Sequence, residues 1–247
     1  MSSELKIIWK RKINLDITYS CSLKCFNCSR LCNLPQINIK PLTPEDVQQF
    51  ISDSKKLNIN WGEIVINGGE PTVHKDFIEI ATLAGEFAQE LKCRFSVFTN
   101  GYQDLTKKLL SDVIKRFPKA IIVNTEKSPE KLEHHFQMTI APVDVNFFYE
   151  DNNPCPESYQ CGISLNSNGY FVCSPAAAID GMFNLNQGIK HLADVSEIEL
   201  RNRGNKLCKY CGMYLFAMGI TRLGQFDYQA FSPTWQKLLW TDELPSH

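Results

Sequence analysis

The chain has 247 residues, 43% hydrophobic and 21% charged, with a formal net charge of −1. These values exclude a disordered chain and allow one large domain or a domain with a smaller appendage. They give no charge-based reason for a nucleic-acid or membrane partner, no apolar run is long enough to span a bilayer, and MSSELKIIWKRK lacks the apolar core of a signal peptide. A cytoplasmic protein with no nucleic-acid or membrane partner is the expectation. Ten cysteines are many for a compartment that keeps thiols reduced, which ranks metal ligation above disulfides.

In chain order, residues 13–18 (INLDIT) alternate as a short strand, and a polar loop with Cys21, Cys25, Cys28 and Cys32 follows. Thr43 is expected to cap a helix with Pro44 at its first position and Val47, Phe50, Ile51 and Leu57 as its apolar stripe. Residues 61–66 (WGEIVI) read as a strand, followed by a helix carrying Phe77, Ile80, Ala81, Ala84, Phe87, Ala88 and Leu91. The pattern repeats with strand 93–99 (CRFSVFT) and a helix carrying Leu105, Leu109, Leu110, Val113, Ile114 and Phe117. Residues 120–124 (AIIVN) read as a fourth strand and 139–145 (TIAPVDV) as a weaker fifth. Such alternation implies an α/β fold with a parallel sheet and right-handed crossovers.

Loops that follow the strands of such a sheet emerge at one face, where sites are built. The cysteine loop, Gly68, Gly69 and Glu70, then Asn100, then Asn124 all fall there. Gly68 and Gly69 permit a backbone to approach a ligand closely, and Glu70 offers an acceptor for an ammonium or hydroxyl group.

The last hundred residues carry Cys155, Cys161, Cys173, Cys208 and Cys211. GISL and YFVC read as strands of a hairpin folded about Ser167, which sets Cys161 opposite Cys173. Zinc is one occupant that such thiols could take. For the N-terminal loop, zinc is disfavoured, because a ribbon needs a second Cys-x-x-Cys roughly 15–20 residues later and the next such pair is Cys208 and Cys211. His134 and His135 read as surface residues of a charged linker, Arg201 and Arg203 as decoration of a helix end, Asp180 as a turn cap, and residues 231–240 (FSPTWQKLLW) as a terminal amphipathic helix.

Cys21-x-x-x-Cys25-x-x-Cys28, followed by Gly68-Gly69-Glu70-Pro71 at a strand end, resembles the radical S-adenosylmethionine superfamily over roughly residues 12–126. The resemblance implies an open, partial (β/α) radical SAM barrel over residues 1–147. It also implies a [4Fe–4S] cluster on Cys21, Cys25 and Cys28, with one iron left for S-adenosylmethionine. Gly68, Gly69 and Glu70 would contact the methionine end of that cofactor, with Asn100 and Asn124 as further cofactor contacts. Cys32 reads as a spare thiol, since a fourth ligand would close the open iron. The sequence departs from many members in having Asn27, not an aromatic residue, before the last cysteine.

About residues 155–211 resemble the twitch and SPASM extensions of these enzymes, which implies over 148–247 a small cysteine-rich hairpin and helix unit holding an auxiliary [4Fe–4S] cluster. Cys173, Cys208 and Cys211 belong to that set by resemblance; Cys155 is the fourth by resemblance and Cys161 by hairpin geometry. The implied activity starts with an external one-electron donor such as flavodoxin or ferredoxin, cleaves S-adenosylmethionine, and abstracts hydrogen from a small-molecule substrate. The auxiliary cluster then accepts the substrate electron, as in a dehydrogenase. Peptide-modifying, sulfur-inserting and non-enzymatic electron-transfer proteins are the alternatives.

Overall fold

The alternation in KINLDIT divides the sheet into an apolar face and a polar one. In the computed structural model, which describes residues 12–130, 161–212 and 231–240, Lys12–Thr18 forms strand β1. Ile13, Leu15 and Ile17 are fully buried in the core, while Lys12 and Asn14 line a cavity, as the two-residue period of a strand requires. Three helix–strand units follow. Helix α1 (Pro44–Lys56) leads to β2 (Glu63–Gly68), α2 (Phe77–Leu91) to β3 (Arg94–Thr99), and α3 (Asp104–Arg116) to β4 (Ile121–Asn124). Strands β1 to β4 pair parallel in that order, which the long helical connections make possible.

The helices attach through the faces that their sequences predict. Thr43 accepts from the Asp46 amide at 3.2 Å and Asp46 returns a bond to the Thr43 amide at 2.8 Å, a capping box that fixes the start of α1. Val47 and Phe50 of α1 and Phe77, Ile80, Ala84 and Phe87 of α2 are buried together. The Phe50 ring meets Trp61 at 5.8 Å and Phe87 at 6.1 Å, and the Trp61 indole donates to Ser54. Leu57, Leu105 and Ile114, expected in the apolar stripes, are exposed instead; Leu57 is the C-cap of α1, where the helical face has already ended.

The expected hairpin forms from β5 (Ile163–Asn166) and β6 (Gly169–Phe171). Asn166 pairs with Gly169, so the turn is centred between Ser167 and Asn168. Strand β5 also pairs parallel with β1, Ile13 opposite Ile163. The result is one mixed six-stranded sheet of order β4-β3-β2-β1-β5-β6. This open sheet runs across the expected division between residues 147 and 148. The weaker fifth strand at 139–145, His134, His135 and Cys155 lie outside the described residues.

Three more helices back the hairpin: α4 (Ser174–Phe183), α5 (Glu197–Cys208) and α6 (Pro233–Trp240). Every residue of α4 is buried. Arg201 and Arg203 are not at a helix end; they lie within α5 and pair one turn back with Glu197 and Glu199 at 2.9 and 3.1 Å. In α6, Trp235 is fully buried, donates to the Tyr210 carbonyl at 2.8 Å and meets Phe183 edge to face. Among the described residues, no helix is long and apolar enough to cross a membrane.

Because Ile163 is 1% exposed and sits against Ile13 at the β1–β5 seam, Ile163→Ala should cost about 2–5 kcal/mol through lost burial and a residual cavity. Urea denaturation should show the fluorescence of Trp61, packed against α1, shifting to lower denaturant with that of Trp235. A shift confined to the C-terminal tryptophans would mean that the hairpin unfolds separately.

Candidate functional site

The end of β2 is stitched to the start of the cysteine loop. The Gly69 amide donates to the Thr18 carbonyl at 2.8 Å, and the Glu70 amide donates to the Ser20 carbonyl at 3.0 Å. A Cβ on Gly68, whose φ is +141°, would come within 2.3 Å of the Thr18 oxygen, and one on Gly69 within 2.3 Å of the Ser20 oxygen. The two glycines are thus required by backbone packing between β2 and the loop, while their main chains also line the cavity.

Glu70 does not line that cavity. Its carboxylate is fully buried and accepts from the Thr72 amide and hydroxyl, the Thr99 hydroxyl and the Asn100 amide, at 3.2, 2.8, 2.9 and 2.7 Å. It ties the end of β2 to the end of β3. Asn100, in turn, lines the cavity. Its side-chain oxygen accepts from the Tyr102 amide at 2.9 Å, which aims the NH₂ group at Ser22 Oγ, 3.1 Å away, and Cys21 Sγ, 3.7 Å away. Asn124 is outside the cavity lining and accepts from the Glu126 amide at the end of β4.

Cys21, Cys25 and Cys28 all line one cavity of about 230 Å³. Cys32 does not; it is 2% exposed, and its sulfur lies 3.1 Å from where a Gly69 Cβ would stand. The neighbouring Cys32, aided by backbone amides and by Lys127 against the opposing cost of burial, holds the Cys28 thiol down at about 6. The same contact and burial push Cys32 well above its ordinary value. Burial pushes Cys21 up to about 11. Among the described residues, no three Cys, His, Asp or Glu side chains converge as for a single metal ion. A four-iron cluster distributes its thiolates over separate irons, and a donor set of three cavity-facing thiols beside a cation fits that group.

The structure also gathers the C-terminal thiols. Burial raises the Cys173 thiol well above its ordinary value, and the proximity of Cys161, Cys208 and Cys211 adds to the shift. Cys161 faces the same cavity as the N-terminal three. Asn14 fixes its backbone by donating to the Cys161 and Ile163 carbonyls. Arg30 lines the cavity within electrostatic reach of both Cys28 and Cys161. Sequence reasoning missed Arg30, and only its position in the cysteine loop could have marked it. Asp180, read as a turn cap, lies inside α4 and outside the cavity lining. Its carboxylate accepts from the Gln187 amide at 2.7 Å, closing the turn beyond that helix.

No family model matches the chain. It is 28% identical over 156 residues to a protein named probable GTP 3',8-cyclase from Methanococcus vannielii, an overlap of 57% of this chain and 50% of that one. It is 30% identical over 89 residues to a protein of the same name from Pyrococcus horikoshii, covering 36% and 26% of the two chains. The chain thus spans half or less of the length of these curated relatives. Among solved structures it is similar to BtrN in complex with AdoMet and 2-DOIA, with a TM-score of 0.50, 14% identity, and coverage of 88% of this chain and 97% of that one. The likeness is one of fold: α/β with a mixed sheet.

Two outcomes follow from this geometry. Glu70→Gln replaces an acceptor of four donor groups by a side chain with one acceptor oxygen, and should cost about 1–3 kcal/mol in chemical denaturation. In metal-free protein the thiolate is the reactive form, so alkylation of Cys28 should rise through pH 6 and Cys21 should resist until near pH 11. Peptide mapping after brief iodoacetamide treatment reads both.

Proposed function

We propose that this chain is a radical S-adenosylmethionine enzyme acting on a small molecule, with a [4Fe–4S] cluster held by Cys21, Cys25 and Cys28 and S-adenosylmethionine in the same cavity. The observation that carries this reading is the division of the loop's thiols. Three face the cavity and the fourth, Cys32, is packed behind Gly69. Three protein thiolates leave one iron of a four-iron cluster for another ligand. Such a cluster with its cofactor, supplied with an electron by an external donor such as flavodoxin or ferredoxin, provides hydrogen abstraction from carbon.

The chain's own residues bind, orient and exclude water. Leu23, Phe98 and Pro175 give the cavity its apolar walls, while Asn67, Asn100 and Thr125 supply polar contacts along its length. Asn100 has its amide orientation fixed from both sides, so it presents a donor to the cysteine loop without reorganisation. Lys127 sits within electrostatic reach of Cys25 and Cys28 and favours their ionised, ligating forms.

We read the reaction as a dehydrogenation. Cys161, Cys173, Cys208 and Cys211 form a second thiol group, and Cys161 belongs to the cavity wall as well. An auxiliary [4Fe–4S] cluster there would border the substrate and serve as the electron acceptor that an oxidation requires. A second reading, cyclisation of a nucleotide as in the name of the archaeal relatives, is favoured by the sequence similarity; it needs no net electron acceptor.

Anaerobic reconstitution should give about eight irons per chain, two clusters of the four-iron type. Replacing Cys21, Cys25 and Cys28 together by alanine should remove about half of the iron and all 5′-deoxyadenosine formation. Cys208→Ala with Cys211→Ala should retain 5′-deoxyadenosine formation and lose the oxidised product. Stoichiometric zinc in place of iron would overturn the first assignment. Normal product yield from the folded double variant would overturn the dehydrogenation.

A further inference from the structure

Among the described residues, the cavity has a one-sided charge: Lys12, Arg30 and Lys127 line it, together with polar and apolar residues, and no described aspartate or glutamate does. The carboxylates that approach these cations stand behind the lining. Asp16 Oδ1 lies 3.7 Å from Arg30 Nε, and Glu63 Oε2 lies 3.6 Å from Lys12 Nζ. Glu63 is shared, accepting also from Arg94 at 3.1 Å and from Ser96 at 2.8 Å, so Lys12 takes only part of its charge.

Two of the three cations belong to the cysteine loop's surroundings, since Lys127 and Arg30 are within electrostatic reach of Cys28. Lys12 does not share that place. It opens β1, and the loop leaves the other end of the strand after Thr18, a span of about 20 Å at the rise of a strand. Its main chain therefore stands apart from the loop thiols, and its ammonium reaches along the cavity wall toward Phe98. Around this far end the wall is made of Lys12, Asn14, Cys161, Ser174 and Pro175, while Phe98, level with Asp16 in the strand register, lines the cavity nearer the loop. The Lys12 ammonium is 5.9 Å from the Phe98 ring centre, which holds it beside the cavity.

Ser174 adds an independent observation. It is 2% exposed, lines the cavity, and its hydroxyl oxygen is buried with no hydrogen-bond partner. A buried hydroxyl without a partner is costly in a folded protein, and a ligand acceptor would satisfy it. Ser174 is also the first residue of the ten-residue helix α4, whose positive dipole end faces the same region. An ammonium that can only donate, a hydroxyl without an acceptor and a helix start all ask for the same chemistry.

We propose that the far end of the cavity is a subsite for an oxyanion of the substrate, a phosphate or a carboxylate group, bound by Lys12 and Ser174. This rests on the reading of the cavity as the site of a radical S-adenosylmethionine enzyme and adds the class of molecule that it takes. The substrate is an anionic small molecule whose charged group is anchored at the β1–α4 end, with its reacting carbon toward the cysteine loop.

The test is equilibrium binding of inorganic phosphate and of malonate to the reconstituted, anaerobic protein, followed calorimetrically at low ionic strength. One of the two should bind at millimolar concentration, phosphate pointing to a phosphoryl substrate and malonate to a carboxylate. Lys12→Gln should weaken that binding about tenfold or more, as loss of a charge-assisted contact does. Lys12→Arg should restore most of it, and Ser174→Ala should weaken it by a smaller factor. Binding of neither anion, or binding that Lys12→Gln and Ser174→Ala leave unchanged, overturns the subsite. Visible absorbance of the iron–sulfur cluster, read on the same samples, reports separately on the parent reading. Its absence defeats that reading, whereas a cluster with no anion binding defeats the subsite alone.

Discussion

Strand β1 pairs with β2 on one side and β5 on the other, and the site depends on that double pairing. A strand buried between two neighbours presents its alternate residues to opposite faces. In β1, Ile13, Leu15 and Ile17 seal the helical layer, which frees Lys12 and Asn14 for the cavity. The same strand delivers the N-terminal cysteine loop from its end, and through β5 it brings in Cys161, whose carbonyl is held by Asn14. Two thiol groups far apart in sequence become neighbours through one parallel ladder. A one-residue slip of that ladder would turn its polar residues into the core.

Around the cysteine loop the main chain is held at several points. The Gly68–Gly69 backbone lies against Thr18 and Ser20, and Glu70 gathers donors from the ends of β2 and β3. Because Asn100 is bonded both to Glu70 through its amide and to Tyr102 through its side-chain oxygen, its NH₂ group reaches Cys21 in a fixed orientation. The order of influence runs from a buried carboxylate through an amide to a thiol. Glu70 thereby acts on the site without facing it.

Much of this was legible in the sequence. The strand–helix alternation, the Thr43 cap and the existence of the hairpin depend on local patterns and appear where these place them, whereas the hairpin register differs: its centre lies between Ser167 and Asn168, so Cys161 is not directly opposite Cys173. What escaped depends on partners distant in sequence. Nothing within NGGEPT says that Glu70 will turn inward to Thr99 and Asn100. Nothing near CSRLC says that Arg30 will find Asp16 and Cys161. Helix α4 was hidden for a different reason: it is buried on every side, so it has no amphipathic period to read. Asp180 is an internal residue of that helix, yet its carboxylate caps the turn that follows, as the sequence predicts. The pairing of β5 with β1 was likewise invisible, because a parallel partner is chosen by the whole sheet and not by the hairpin alone.

The two thiols at the end of the loop, Cys28 and Cys32, meet different surroundings in the fold. The neighbouring Cys32 holds the Cys28 thiol below its ordinary value, while the same contact and burial raise Cys32. Cys32 keeps its proton because it is buried and away from the cavity, where a thiolate would be poorly solvated. The Cys32 thiol donates to the Arg30 carbonyl at 3.5 Å, which fixes it within the loop. Packing thus separates the fourth thiol of the loop from the three that line the cavity.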